Sequence, residues 1–272
     1  MRLAINHATR YRFSQPQARL VQLLRMRPSD TTHQTVSDWR IDLDCDARLR
    51  YGHDGFGNCT AMLYAEGPIG SIEIAMSCVV LTVPGDGVLA GVAEPLPPRL
   101  FLRATPLTGA SEAIVRLAGE LAPAGLPLFQ RLSALCAALP ERLVVESGRP
   151  VSGQSGAQAL GSGRGTARDF AHIFIAAAHV MGVPARYVSG YSLDGKSGTT
   201  ALHPTPNAWV EAYVADKGWV AFDPAQGGLA TRGYVRVAIG LDAGSAAPVA
   251  GSRLGDGEEV LDAGVLVAQI AR

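Results

Sequence analysis

Apolar and polar residues alternate along most of the first 83 positions, as at Trp39, Ile41 and Leu43. Alternation with a period of two is typical of strands that bury one face. Turn-forming sequences, such as the run D-G-F-G-N at 54–58, separate the alternating segments. The pattern predicts an antiparallel β domain over residues 1–83.

Proline and glycine interrupt this alternation over residues 84–109, where a P-L-P-P sequence can continue neither a strand nor a helix. This segment is predicted to link two parts of the chain. Apolar residues then repeat at helical spacing, which predicts one helix capped by Ser111 and a second helix from Leu126 to Leu139.

Glycine and serine dominate residues 147–165, which we therefore predict to be a loop. Its G-S-G-R-G run lacks the G-K-[S/T] ending of a phosphate-binding loop and follows no apolar strand, so nucleotide binding is disfavoured. A helix is predicted next, from Ala167 to about Met181, because Gly182 and Pro184 form a stop signal.

Three strands are predicted to follow, at Ala185–Tyr191, Asn207–Val214 and Trp219–Asp223. Alternating apolar residues within residues 231–272 predict closing strands, which could join either sheet. The order of elements indicates an α+β protein, with an N-terminal antiparallel β domain followed by a helix packed on a second antiparallel sheet.

Lysine and arginine together number 24, as do aspartate and glutamate, so the formal net charge is zero. Such a chain has no net positive field to attract nucleic acid or an anionic membrane. The sequence begins without an apolar leader, and its longest apolar run, residues 74–83, is about half the length of a membrane-spanning helix. We predict a cytoplasmic protein that binds neither nucleic acid nor membranes.

No cysteine belongs to a C-x-x-C pair or a zinc-ribbon spacing, which predicts reduced, buried thiols. The four cysteines are Cys45, Cys59, Cys78 and Cys136. His172 and His179 share one face of the predicted helix, but no third ligand is spaced to complete a metal site. No metal site is therefore predicted.

Four motifs lie in the second half of the chain. Residues 165–172 read G-T-A-R-D-F-A-H and residues 182–191 read G-V-P-A-R-Y-V-S-G-Y, while residues 207–211 read N-A-W-V-E and residues 218–224 read G-W-V-A-F-D-P. They resemble the motifs of the bacterial transglutaminase-like family, which are G-x-C-x-D-F-A-H, G-x-P-A-R-Y-V-S-G-Y, H-A-W-V-E and G-W-x-x-F-D-P. The sequence R-M-R-P at 25–28 also matches that family, so the resemblance extends to the N-terminal part.

The resemblance implies a papain-like core over residues 110–230 with a cysteine–histidine–aspartate triad, whose cysteine sits at a helix start that lowers the thiol pKa. Here Ala167 stands at the cysteine position and Asn207 at the histidine position, and only Asp223 matches. Alanine has no lone pair, and asparagine does not titrate near neutral pH. The resemblance therefore implies a pseudoenzyme without a cofactor, whose ligands are peptide or protein segments.

Alternation fixes which side chains of adjacent strands share a face, so Asn207 and Asp223 are expected to face each other. Asp223 would then either accept a hydrogen bond from the Asn207 amide or hold the turn before Pro224. His172 follows Ala167 by five residues, or about 140° around the helix, and is not expected in the same cleft.

Three further residues near the vacated triad are candidate binding residues: Trp209, Thr166 and His203. Trp209 also fits a core position, and Thr166 fits a helix N-cap. A retained peptide-binding cleft is the leading hypothesis. The alternatives are an amide hydrolase or acyltransferase that uses His203 or Thr166, and a structural role with the cleft closed around Ala167. The oligomeric state is left open.

Overall fold

The computed structural model describes residues 1–121, 125–193 and 199–271. Strands of the first half are β1 (Arg2–Leu24), β2 (Gln34–Leu43), β3 (Ala47–His53), β4 (Cys59–Thr82), β5 (Val144–Val145) and β6 (Arg164–Gly165). Those of the second half are β7 (Ala185–Ser192), β8 (Thr200–His203), β9 (Asn207–Val214), β10 (Gly218–Asp223), β11 (Gly228–Leu229), β12 (Tyr234–Gly240), β13 (Val249–Leu254) and β14 (Glu259–Gln269). The helices are α1 (Glu112–Leu121), α2 (Leu128–Arg142), α3 (Gly156–Ser162) and α4 (Ala167–Val180), with a short 3-10 helix at Pro98–Leu102.

The first sheet is built around the long strands β1 and β4, which pair antiparallel over most of their length. Strands β2 and β3 both pair with β4. Alternate residues of β1 and β4 are buried over long stretches, because one face of the sheet covers the core. The antiparallel strands predicted in the first 83 residues are confirmed.

Helices α1 and α2 are both present as predicted, but α2 begins two residues later and ends three residues later than the predicted Leu126 to Leu139. The Ser111 hydroxyl accepts a hydrogen bond from the backbone N–H of Ile114 at 3.3 Å, as expected of an N-cap. Within the described residues, no helix is both long and apolar enough to cross a membrane.

The prediction of an uninterrupted loop over residues 147–165 is wrong, because this segment contains α3. Ser155 and Gln158 form a capping box at its start, with the backbone N–H of Ser155 donating to the Gln158 side chain at 2.9 Å. A Cβ on Gly156 would lie 2.8 Å from the backbone nitrogen of Ile173, so glycine here lets α3 pack closely on α4. The S-x-x-Q signal was present in the sequence but was outweighed by the surrounding glycines.

The second sheet has the strand order β11–β10–β9–β7–β12, and every pair is antiparallel. Helix α4 packs against β9 and β7, and residues 169–178 are all buried. The predicted helix and the three predicted strands are confirmed to within one residue at each end. The α+β fold class is therefore that expected from the sequence.

The C-terminal strands divide between the two sheets, which answers the question that the sequence left open. Strand β12 pairs with β7 of the second sheet, whereas β13 and β14 pair with β1 of the first. Strand β8 also joins the first sheet, by pairing with β14. The chain thus crosses from one sheet to the other between His203 and Asn207.

Residues 84–109, the predicted linker, pack along the second sheet. Glu94 accepts two hydrogen bonds from Arg186, at 2.7 and 2.8 Å. Phe101 is buried, and its ring centroid lies 5.3 Å from that of Trp219. The segment therefore contributes an ion pair and an aromatic ring to the core of the second sheet.

Candidate functional site

The start of α4 is fixed by a carboxylate that reaches back over its first turn. The backbone N–H and the hydroxyl of Thr166 donate to Oδ2 of Asp169, at 2.9 and 2.8 Å. The other carboxylate oxygen accepts from Arg168 at 3.1 Å. This arrangement is the capping box expected from the sequence, and it places Ala167 as the first helical residue.

An open cavity of about 470 Å³ lies over this helix start. Four of the residues that the sequence singled out belong to its wall: Thr166, Ala167, His203 and Asn207. No cysteine is found among the described residues that line it. Residues from both sheets contribute to the wall, so the cavity lies where the two sheets meet.

Asn207 and Asp223 lie on the neighbouring strands β9 and β10, whose register pairs Val210 with Phe222. Continuing this register puts the Asn207 and Asp223 side chains on the same face of the sheet. The Asn207 amide donates to the Ser192 hydroxyl at 2.8 Å, and none of the hydrogen bonds among the described residues joins Asn207 to Asp223.

Asp223 is buried and accepts hydrogen bonds on both carboxylate oxygens. Oδ1 accepts from the backbone N–H groups of Ala225 and Gln226, each at 3.0 Å, and Oδ2 accepts from the Tyr234 hydroxyl at 2.7 Å. Burial raises the pKa of Asp223 above its usual value, although these hydrogen bonds and the Asn207 amide act in the opposite direction. Of the two roles considered from the sequence, the carboxylate therefore holds the turn, whereas the amide of Asn207 is bonded to Ser192 instead.

His203 lines the cavity from the end of β8 and is half-buried. Its Nε2 lies 3.0 Å from the carbonyl oxygen of Ser192. Because a carbonyl oxygen only accepts, Nε2 is the donor in this hydrogen bond. No hydrogen bond joins His203 and Thr166 in the described part of the chain, and the Thr166 hydroxyl is donated to Asp169.

Trp209 lies outside the cavity wall. Its side chain is buried and packs edge-on against the Tyr234 ring, with the centroids 5.3 Å apart. A Cβ on Gly190 would lie 2.4 Å from the Trp209 ring, so the glycine in β7 makes room for the indole. This placement fits the core role that the sequence left open for Trp209.

Polar residues of β7 and β1 line the cavity and were not singled out from the sequence. Tyr187 and Ser189 come from β7, and His7 and Thr9 come from β1. The spacing of two in Y-V-S-G-Y could have marked the β7 residues, because alternation places them on one face. No local signal marks His7, whose Nδ1 lies 2.9 Å from the hydroxyl of Tyr191, 184 residues away in the sequence.

His172 and His179 are held in separate environments. Nε2 of His172 accepts from the backbone N–H of Ala243 at 3.1 Å, and Nε2 of His179 donates to the carbonyl of Phe101 at 2.8 Å. His172 does not line the cavity over Ala167, as its position on the helix predicted. Among the described residues, no group of three or more metal-binding side chains occurs.

Burial lowers the pKa of His172 to about 4 from the usual 6.5, and the Arg168 charge acts in the same direction. Between pH 6.5 and about pH 4, His172 binds a proton in the unfolded chain but not in the folded protein, so acidification destabilises the fold. The free energy of unfolding of the wild type should therefore fall between pH 7 and pH 4.5. In His172→Gln, which keeps an acceptor for Ala243, we expect this fall to be smaller by roughly 2–3 kcal/mol. Urea denaturation at pH 7 and at pH 4.5 measures the free energy of unfolding of each protein. The control is His53→Gln, because His53 is exposed. An equal fall in wild type and in His172→Gln would contradict the prediction.

No disulfide joins any of the four cysteines, and only two of them are buried as predicted. The thiol of Cys136 donates to the carbonyl oxygens of Asp223 and Gly228, both at 3.4 Å, and burial raises its pKa. Burial also raises the pKa of Cys78, to about 12. Cys45 and Cys59 are half-buried, because they lie near the ends of strands in the first sheet.

Two family models match the sequence. The bacterial transglutaminase-like N-terminal region matches residues 3–81, and the transglutaminase-like superfamily matches residues 116–224. An uncharacterised protein of Mycobacterium leprae is 28% identical over 292 residues, covering 99% of each chain. A crystal structure from Cytophaga hutchinsonii, described as that of a candidate cysteine protease, superposes with a TM-score of 0.78 at 20% identity, covering 100% of this chain and 91% of that one.

Proposed function

This chain belongs to the transglutaminase-like superfamily, and we propose that it is a pseudoenzyme that binds peptide segments in the cavity over α4 without thiol catalysis. One observation carries the proposal. The cavity over the helix start contains the methyl group of Ala167 and the amide of Asn207, at the positions where the motif resemblance calls for a thiol and an imidazole.

The missing atoms are those that the chemistry needs. A thiol acyltransferase requires a thiolate to attack a carbonyl carbon and a base to take and return the proton. The side chains of Ala167 and Asn207 can neither attack a carbonyl carbon nor take the proton. Cys136 does not substitute for the nucleophile, since its thiol is buried and donates to two backbone carbonyls outside the cavity.

The cavity supports ligand binding rather than a purely structural role. Its volume of about 470 Å³ falls within the range usual for ligand sites. It is open, and Ala167 forms part of its wall instead of being packed over by neighbouring side chains. Peptides are proposed as ligands because the superfamily resemblance implies amide substrates.

The alternative is an amide hydrolase that uses His203 and Thr166. The hydrogen bonds argue against this alternative, because the Thr166 hydroxyl is donated to the Asp169 carboxylate, which also accepts from the Thr166 backbone. The histidine that this alternative needs as its base is bonded to the Ser192 carbonyl and makes no hydrogen bond to the Thr166 hydroxyl in the described part of the chain.

We expect the purified chain to show no thiol-dependent turnover of glutamine peptides with amines, or of activated acyl esters. Losing the nucleophile of a comparable triad costs on the order of a millionfold in turnover. The measurement is product formation over a heat-denatured control, with and without iodoacetamide. Turnover that iodoacetamide abolishes would contradict the proposal, and turnover that it leaves unchanged would favour the His203 and Thr166 alternative.

A further inference from the structure

The first turn of α4 presents free backbone donors to the cavity. The first N–H groups of a helix have no partner within the helix. Asp169 and Phe170 both donate to the Thr166 carbonyl, at 2.9 and 3.1 Å. In the described part of the chain no acceptor is bonded to the N–H groups of Ala167 and Arg168, and both residues line the cavity.

Two hydroxyl groups of β7 add to these donors. Tyr187 and Ser189 line the cavity, and only 5% of Tyr187 and 6% of Ser189 are exposed. Neither hydroxyl has a hydrogen-bond partner among the described residues, and neither is sealed from solvent. Tyr187 packs against His172 of α4 at a centroid distance of 5.4 Å, which holds its ring beside the helix. Both hydroxyls therefore open into the cavity as unpartnered donors.

The charged groups near these donors are already bonded. The carboxylate of Asp169 accepts from Thr166 and Arg168. Asp242 accepts from Ser245, by its backbone N–H and its hydroxyl, both at 2.9 Å. Glu146 at the rim lies 3.5 Å from Arg164. These carboxylates are held by donors of their own, whereas the donors of Ala167, Arg168, Tyr187 and Ser189 are unoccupied.

A helix N-terminus with convergent N–H and O–H donors favours a negatively charged oxygen ligand. In a thiol enzyme the thiolate would supply the negative charge at this helix start. With Ala167 there is no such charge, and the small side chain leaves the first turn open to the cavity.

We propose that this cavity binds a ligand carboxylate, held by the N–H groups of Ala167 and Arg168 and the hydroxyls of Tyr187 and Ser189. The inference rests on the proposed function, and it names the chemical group by which the ligand is recognised. The carboxylate can come from the C-terminus of a peptide or from a small organic acid.

Three probes separate these sources: N-acetyl-Ala-Ala with a free C-terminal carboxylate, the same dipeptide with a C-terminal amide, and acetate. Each is titrated into the ¹⁵N-labelled full chain while the backbone amide resonances of Ala167 and Arg168 are followed. We expect the free acid to shift both resonances and to bind about tenfold or more tightly than the amide, because a hydrogen bond to a charged group is stronger than one to a neutral group.

Removing one donor tests the geometry. Tyr187→Phe deletes the hydroxyl and keeps the ring, and it should weaken binding of the free acid by about tenfold while leaving the weak binding of the amide unchanged. Tyr213→Phe is the matched control, since Tyr213 lies on the same sheet but does not line the cavity. A thermal melt of each variant establishes that it is folded.

The outcomes separate this inference from the proposed function. Equal affinity for the acid and the amide, or no change in Tyr187→Phe, overturns the carboxylate site but leaves peptide binding standing. If acetate binds as tightly as the peptide acid, the carboxylate site stands with small acids as its ligands, and peptide recognition is contradicted. If no probe shifts Ala167 or Arg168, both proposals fail.

Discussion

The double variant Ala167→Cys with Asn207→His is expected to gain a thiol that iodoacetamide alkylates rapidly at pH 6. A free thiol has a pKa of about 8.5, so few molecules carry a thiolate at that pH. A thiolate at a helix N-terminus, paired with a histidine cation, forms well below neutral pH. We expect alkylation at position 167 to be on the order of 10–100 times faster than in the Ala167→Cys single variant.

The structure supports this restoration because the frame around both positions is in place. Ala167 begins α4 beneath the open cavity, and Asn207 lines the same cavity. The register of β9 and β10 puts the Asp223 and Asn207 side chains on the same face of the sheet, so the Asp223 carboxylate is placed to orient an imidazole at position 207. The helix cap formed by Thr166 and Asp169 does not involve either substituted side chain.

Mass spectrometry of the 167-containing peptide distinguishes this thiol from the half-buried Cys45 and Cys59. Adding Asp223→Asn to the double variant should slow alkylation, because the imidazole loses the carboxylate that orients it and stabilises its cation. Equal alkylation rates for the single and double variants across pH 5–8 would show that positions 167 and 207 no longer align.

Arg186→Met is expected to cause the largest loss of stability among single substitutions outside the cavity. The guanidinium is fully buried, donates to Glu211 at 2.7 Å and to both oxygens of Glu94, and lies 3.9 Å from the centroid of the Trp219 ring. Burial alone would raise the pKa of Glu211, but Arg236 and Arg186 together lower it. Arg186→Met takes from the buried Glu211 one of its two cationic partners, with Arg236 remaining at 2.7 Å, and breaking a buried ion pair costs up to about 3–5 kcal/mol.

Urea denaturation measures the loss for Arg186→Met as a fall in the free energy of unfolding. The control is Arg142→Met, because Arg142 lies 2.7 Å from Glu120 on the surface with both side chains about half exposed. A surface pair of this kind contributes less than about 1 kcal/mol. If the two variants lost similar amounts, Arg186 would not be the residue that holds residues 84–109 against the second sheet.

The sequence by itself determined the secondary structure of the candidate site. Periodicity and stop signals placed α4 and the strands β7, β9 and β10 to within one residue, because these signals depend only on neighbouring positions. The motif resemblance also identified Ala167, Asn207 and Asp223 as a group, and the identities of Ala167 and Asn207 are the basis of the proposal that thiol catalysis is absent. Helix α3 was not predicted, because the residues around it are rich in glycine, even though its capping signal was local.

Only the tertiary structure decided what surrounds that group. The C-terminal strands divide between two sheets because β14 pairs with β1, and no local pattern encodes that pairing. The cavity at the junction of the sheets depends on the same pairing. The same is true of the contact between His7 and Tyr191 and of the hydrogen bond from Tyr234 to Asp223. Trp209 belongs to the core, since its ring packs on Tyr234 rather than on the cavity over Ala167. Local preferences act between neighbours in the chain, whereas a cavity is formed by side chains that folding brings together from distant segments.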